Sequence, residues 1–168
     1  MSKIKNLEKY QFFNGLKNSQ LDKFDDIVKM KKYSQGEIIF KEGETGNAVF
    51  LLLSGEVEIN QALTLQLNRE NYDTREKSII HLSSEVCPCF GEMALVGDNQ
   101  KRTATVQALS ECEMARIMKD DFLNICETDP DLGYTVMKNI GKIISDNLVN
   151  ANQNVLKLTT AFGLILET

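Results

Sequence analysis

Along the chain the apolar positions change their period twice. Between Asn6 and Met30, the residues Leu7, Phe12, Phe13, Leu16, Leu21, Phe24, Ile27 and Val28 fall into helical clusters. Ser19 with Asp22 three residues later predicts a capped start for the second of two short helices. From about Tyr33 to Ile117 short apolar runs are separated by Gly36, Gly43, Gly46, Gly55, Gly91 and Gly97, the punctuation of an all-β sandwich or barrel. The predicted strands cover 38–40, 49–53, Val57 with Ile59, Leu63/Leu65/Leu67, 79–80, 103–108 and 112–117. The polar stretch 68–77, NRENYDTREK, carries charge and turn formers without an apolar period, and predicts a hairpin tip or long loop free of chemistry.

After Met118 the helical period returns. Asp120 predicts the cap of a short helix running to Cys126, and Asp129-Pro130 sets a capping carboxylate before a proline at the first position of a long helix. Within it Ile144, Leu148, Ala151, Val155, Leu158, Phe162 and Ile165 recur at steps of four and three, a heptad seam of about three repeats. A seam that runs past a small barrel predicts self-pairing as a homodimer through residues 144–165, although Thr159, Thr160 and Gly163 weaken the last turns. The expected architecture is mainly β with flanking helices. A helical lead-in (1–30), a β jelly-roll barrel (31–118) and C-terminal helices (119–168) form one domain.

Composition narrows the function. With 168 residues, 42% of them hydrophobic and 26% charged, the chain suffices for one domain with a real core. No stretch approaches the run of about twenty apolar residues that a spanning helix needs, and MSKIKNLEKYQF lacks the apolar centre of a signal peptide, so a cytoplasmic protein without a membrane partner is expected. A net charge of -5 opposes a broad basic face for nucleic acid, so a bound anion must be held by local groups. Cys87, Cys89, Cys112 and Cys126 are expected as reduced thiols. Cys87-Pro88-Cys89 lacks the spacing of a metal or redox motif, and His81, the single histidine, is a poor fourth ligand, so neither a metal nor a cofactor is expected. His81 also has no nucleophile beside it in the pattern, and Ser54 and Ser110 have no evident base, so catalysis is not expected.

The densest chemistry lies at Phe90-Gly91-Glu92-Met93-Ala94-Leu95, with Arg102-Thr103-Ala104-Thr105 starting eleven residues after Gly91. Gly91 permits close backbone approach, and the run after it can form one helical turn whose first amides point at an anion. Arg102 offers a fork of donors matched to phosphate oxygens, and Glu92 can accept from a sugar hydroxyl.

This stretch resembles the phosphate-binding cassette of the cyclic nucleotide-binding domain family. The segments Gly36-Glu37-Ile38-Ile39-Phe40, Glu42-Gly43-Glu44-Thr45-Gly46, Phe50-Leu51-Leu52 and Ser54-Gly55-Glu56-Val57 are similar to the glycine-punctuated early strands of that family, and the likeness covers most of residues 10–150. The gap from Gly91 to Arg102 is similar to that of the catabolite activator protein branch; the protein kinase regulatory subunits are the other branch in view. The resemblance implies a non-catalytic sensor whose ligand is cAMP or cGMP. In it Glu92 holds the ribose 2′-hydroxyl, Gly91 and the amides after it hold the cyclic phosphate, and Arg102 with Thr103 meets the phosphate oxygens. Phe90, Met93, Ala94 and Ala104 complete the cassette. Thr103 leaves the base undecided. Asn147 falls where that branch places a base contact on the long helix; the alternative is an exposed asparagine beside the seam. Two departures stand out: SSEVCPC at 83–89 replaces the usual glycine-aspartate approach, and no helix-turn-helix follows. The competing readings are a dimerising scaffold that has lost its ligand, and the regulatory fragment of a CRP/FNR-type transcription regulator lacking its helix-turn-helix. As a sensor, the chain is expected to have a downstream effector protein that reads the helix movement.

Overall fold

The computed structural model describes residues 7–62, 65–66, 72–73, 76–97 and 100–166. Two short 3-10 turns, Leu7–Lys9 and Gln11–Phe13, lead into helix α1 (Asn18–Ile27). Strands β1 (Lys29–Tyr33), β2 (Ile38–Phe40), β3 (Ala48–Ser54), β4 (Glu56–Ala62), β5 (Leu65–Gln66), β6 (Tyr72–Asp73), β7 (Glu76–Ser83) and β8 (Cys89–Phe90) follow. A four-residue helix α2 (Met93–Val96), β9 (Thr105–Ala108), β10 (Cys112–Met118), α3 (Lys119–Thr128) and α4 (Pro130–Leu166) complete the order.

The strands form two antiparallel four-stranded sheets, ordered β1-β10-β3-β8 and β2-β9-β4-β7, with β5 and β6 paired separately. The expected jelly-roll architecture is present, but the sheets are not closed into a barrel: among the described residues no strand is hydrogen-bonded into both.

Strand β3 holds the two halves of the core together. Its run AVFLLLS is buried on both faces, which is why it reads as continuous rather than alternating. Val49 and Leu51 pack with Phe12, Phe13, Phe24, Phe122, Leu132, Val136 and Ile140 beneath the helices. Ala48, Phe50 and Leu52 face the other way, meeting Val57, Phe90, Val106, Ala108, Cys112 and Met114 between the sheets.

Several expected boundaries move. β1 begins at Lys29, inside the predicted helical lead-in, because KMKKY is an edge strand with four of five residues exposed and shows no apolar alternation. α1 opens not at Ser19, which lies inside it, but at Lys17, whose amide donates to Gln20 Oε1 at 3.1 Å. Asp120 does not cap α3 but sits in its first turn after Met118. Within the 68–77 loop, Tyr72–Asp73 is strand and 76–77 opens β7; residues 63, 64, 67–71, 74 and 75 of the predicted strand and loop lie outside the described residues. Asp129 caps α4 as expected, accepting from Leu132 N at 3.1 Å, and Pro130 is the first helical residue. Among the described residues no helix is long and apolar enough to cross a membrane.

Candidate anion site between the sheets

The site is built by a loop that zips against the segment carrying Arg102. Gly43 N donates to Arg102 O at 2.8 Å, Arg102 N to Glu44 O at 2.8 Å and Gly46 N to Gln100 O at 2.9 Å. This ladder fixes the backbone of Arg102 before β9 begins and aims its side chain across the sheets. There the guanidinium donates from Nη2 to Ala48 O at 2.8 Å and from Nη1 to Gly91 O at 3.1 Å, while its carbon lies 4.1 Å from the centre of the Phe40 ring. Arg102 is thus held by two carbonyls and an aromatic face, and only 9% of it is exposed.

Two glycines make room for that side chain. Gly91 follows β8 at φ +77, where other residues are strained, and a Cβ there would stand 2.6 Å from Arg102 Nη1. At Gly46 a Cβ would meet Arg102 Nε and Cζ and Ala94 Cβ, each at 2.9 Å.

After Gly91 the chain turns at once into α2, with Ala94 N on Gly91 O and Leu95 N on Glu92 O. Glu92 is 6% exposed. Burial raises its carboxyl pKa above the ordinary glutamate value, against the pull of its own backbone amide, of the Arg102 charge and of Asn147. Asn147, on α4, places Nδ2 3.5 Å from Glu92 Oε1 and so joins the long helix loosely to the site. For Arg102 burial is the first cause of a lowered pKa, and the like charge of Arg116 the second. No ion pair joins Glu92 to Arg102 among the described residues.

Of the residues picked out from sequence, Phe90, Gly91, Glu92, Ala94, Arg102 and Asn147 come together. Met93 and Thr103 are exposed, and no hydrogen bond ties Thr103 to the cluster among the described residues; Ala104 is half-buried. Thr105 is the buried threonine, accepting from Glu42 N at 3.1 Å. The sequence marks Arg102 as a donor for a ligand alone, whereas the structure gives it two protein acceptors, the carbonyls of Gly91 and Ala48. Sequence reasoning also missed Phe40, Phe50 and Ala48, whose signal is an ordinary apolar strand, and it gave Gly46 no role although EGETG had been noted. The departing segment 83–89 forms a 3-10 turn at Ser84–Val86 and then places Cys87 in left-handed conformation at φ 48, the backbone role for which a glycine would be the usual choice.

The sequence profile of the cyclic nucleotide-binding domain matches residues 30–129. The cyclic AMP receptor protein of Thermus thermophilus is 27% identical over 124 residues, 74% of this chain and 52% of its own length. Human cGMP-dependent protein kinase 2 is 29% identical over 119 residues, 71% of this chain and 14% of the kinase. The chain therefore spans about half of the first relative and a small part of the second. The solved Thermus thermophilus catabolite activator protein superposes with a TM-score of 0.72 at 24% identity, over 89% of this chain and 63% of that one, a likeness of fold.

Proposed function

Because the chain belongs to the cyclic nucleotide-binding domain family, we propose that it is a non-catalytic, cytoplasmic sensor that takes a cyclic nucleotide between its sheets and signals through α4 as a homodimer. One observation carries the reading: two buried side chains of opposite charge, Glu92 and Arg102, converge on the Gly91 turn without an ion pair between them. Buried charges are ordinarily paired, and a ligand with a hydroxyl for one and an anion for the other completes both.

In this reading Glu92 accepts from the ribose 2′-hydroxyl, Gly91 and the amides opening α2 meet the cyclic phosphate, and Arg102 turns spare N–H groups to its oxygens. An arginine has five such donors and the two carbonyls use two of them. Phe90 and Ala94 wall the site, with Met93, Thr103 and Ala104 at its rim. Asn147 reaches the ligand from α4, exchanging its long contact with Glu92 for the base edge. The relatives compared include one named for cyclic AMP and one for cGMP, so either base fits the reading.

A second reading has an observation of its own. Arg102 is already satisfied by Gly91 O and Ala48 O, so the site stands without a ligand, as a dimerising scaffold requires. Titration calorimetry with cAMP and cGMP separates the two. A sensor binds at least one saturably, and Arg102→Ala abolishes binding; a scaffold gives no heat with either. The same substitution strips two buried carbonyls of their donor and is expected to lower unfolding stability by about 1–3 kcal/mol, which denaturant melts read without any nucleotide.

A further inference from the structure

One arginine facing the same space has no place in that reading. Lys29 on β1, Arg116 on β10, Phe50 on β3 and Phe90 on β8 are successive partners across one sheet, and directly paired residues of antiparallel strands point to the same face. Phe50 and Phe90 stack at 5.7 Å within the core between the sheets, so Arg116 starts from that inner face. Its guanidinium carbon lies 5.9 Å from the centre of the Phe50 ring, and that of Arg102 lies 5.8 Å from the same ring.

Arg116 is incompletely satisfied there. Its Nη2 reaches Asn47 Oδ1 at 3.3 Å, one residue from the Ala48 carbonyl that holds Arg102. Its Nε is buried and has no hydrogen-bond partner among the described residues. A buried donor without an acceptor is unfavourable, and two like charges against one ring add repulsion. Burial is the main cause of the lowered pKa of Arg102, and the like charge of Arg116 adds to it. An anion placed between the guanidinium groups would relieve both penalties at once.

We infer that Arg116 is a second anion-holding residue of this cleft, its free Nε–H and its charge serving the same phosphate group as Arg102. The inference rests on the sensor reading only for the identity of the phosphate ester. Arg102 approaches from the segment that opens β9 in one sheet and Arg116 from β10 in the other, so the two guanidinium groups reach the Phe50 ring from different sheets.

The test titrates inorganic phosphate into the ¹⁵N-labelled chain and follows the arginine Nε–Hε signals, with Arg116→Gln, Arg116→Lys and Arg102→Gln for assignment. Phosphate is expected to move the signals of both arginines. Arg116→Gln should weaken phosphate binding roughly tenfold or more and flatten its salt dependence, while Arg116→Lys restores the salt dependence. A shift at Arg102 alone, or at neither, overturns the assignment, and these wild-type signals do not depend on how a variant folds. Parallel titration with cAMP and cGMP keeps the two readings apart. Phosphate bound through both arginines while neither nucleotide binds leaves Arg116 assigned and removes the sensor. Nucleotide binding indifferent to Arg116→Gln does the reverse.

Discussion

Glu92 carries opposite consequences for stability and for binding. Its carboxyl pKa is raised, chiefly by burial, so the folded chain holds the proton more tightly than the unfolded one does. A raised acid contributes stability that is fully present below the unfolded value of about 4.3 and is lost as pH rises through the folded value. At neutral pH the ionised side chain therefore strains the fold, and Glu92→Gln is expected to unfold at equal or higher denaturant concentration than the wild type. Binding has the reverse sign. The ionised carboxylate is the better acceptor for a ribose hydroxyl, so affinity should fall as pH drops through the raised value, at a higher pH than an ordinary glutamate would show. In Glu92→Gln that pH dependence should vanish, with affinity below the wild type's at neutral pH and converging with it in acid. Calorimetry of both proteins across the mildly acid range checks this, and parallel pH profiles would count against Glu92 as the hydroxyl acceptor.

At the scale of elements, what could be read from sequence was what local physics decides. The Asp129-Pro130 start of α4 was legible because a cap and a fixed φ need no tertiary partner. The G-E…R spacing was legible because glycine at positive φ and a phosphate-matched arginine are particular residue types. β1 was not, since an edge strand of lysines is specified by its pairing with β10 and not by its own alternation. Nor was the role of Arg116: its inner-face placement depends on register across four strands, which no single run encodes. The same distinction applies to the joint between α3 and α4. Asp129 there caps α4 and also pairs with Lys23 of α1 at 2.8 Å. The Lys23 hydrogen bond is the first cause of its lowered pKa, so its contribution is present above the ordinary aspartate value and is lost as pH falls through the lowered one. Thermal unfolding from neutral to strongly acid pH should show the wild type losing an advantage over Asp129→Ala in that acid window. A gap between them that stays constant with pH would show the pair to be inert.

At the scale of the whole molecule, the proposed homodimer requires a route from the site near Gly91 to a second copy. α4 is about 55 Å long at 1.5 Å per residue. Leu132, Val136, Ile140 and Ile143 bury its first turns against the body, while every described position from 145 to 165 is exposed. Leu148, Val155, Leu158 and Phe162 line the seam, and between 147 and 165 the only charged side chain is Lys157, so two copies can pair with little repulsion. Phe162→Asp is expected to yield monomers in analytical ultracentrifugation without unfolding the β sheets. Asn147 sits on this helix against Glu92, at the boundary between the covered and exposed parts. If nucleotide binding releases that contact and shifts the pairing, linkage makes the effect reciprocal: the factor by which ligand strengthens or weakens the dimer equals the factor by which dimerisation changes affinity. Affinity should then depend on protein concentration in the wild type and lose that dependence in Phe162→Asp. Identical affinities for monomer and dimer would mean that α4 joins the chains without carrying the signal between them.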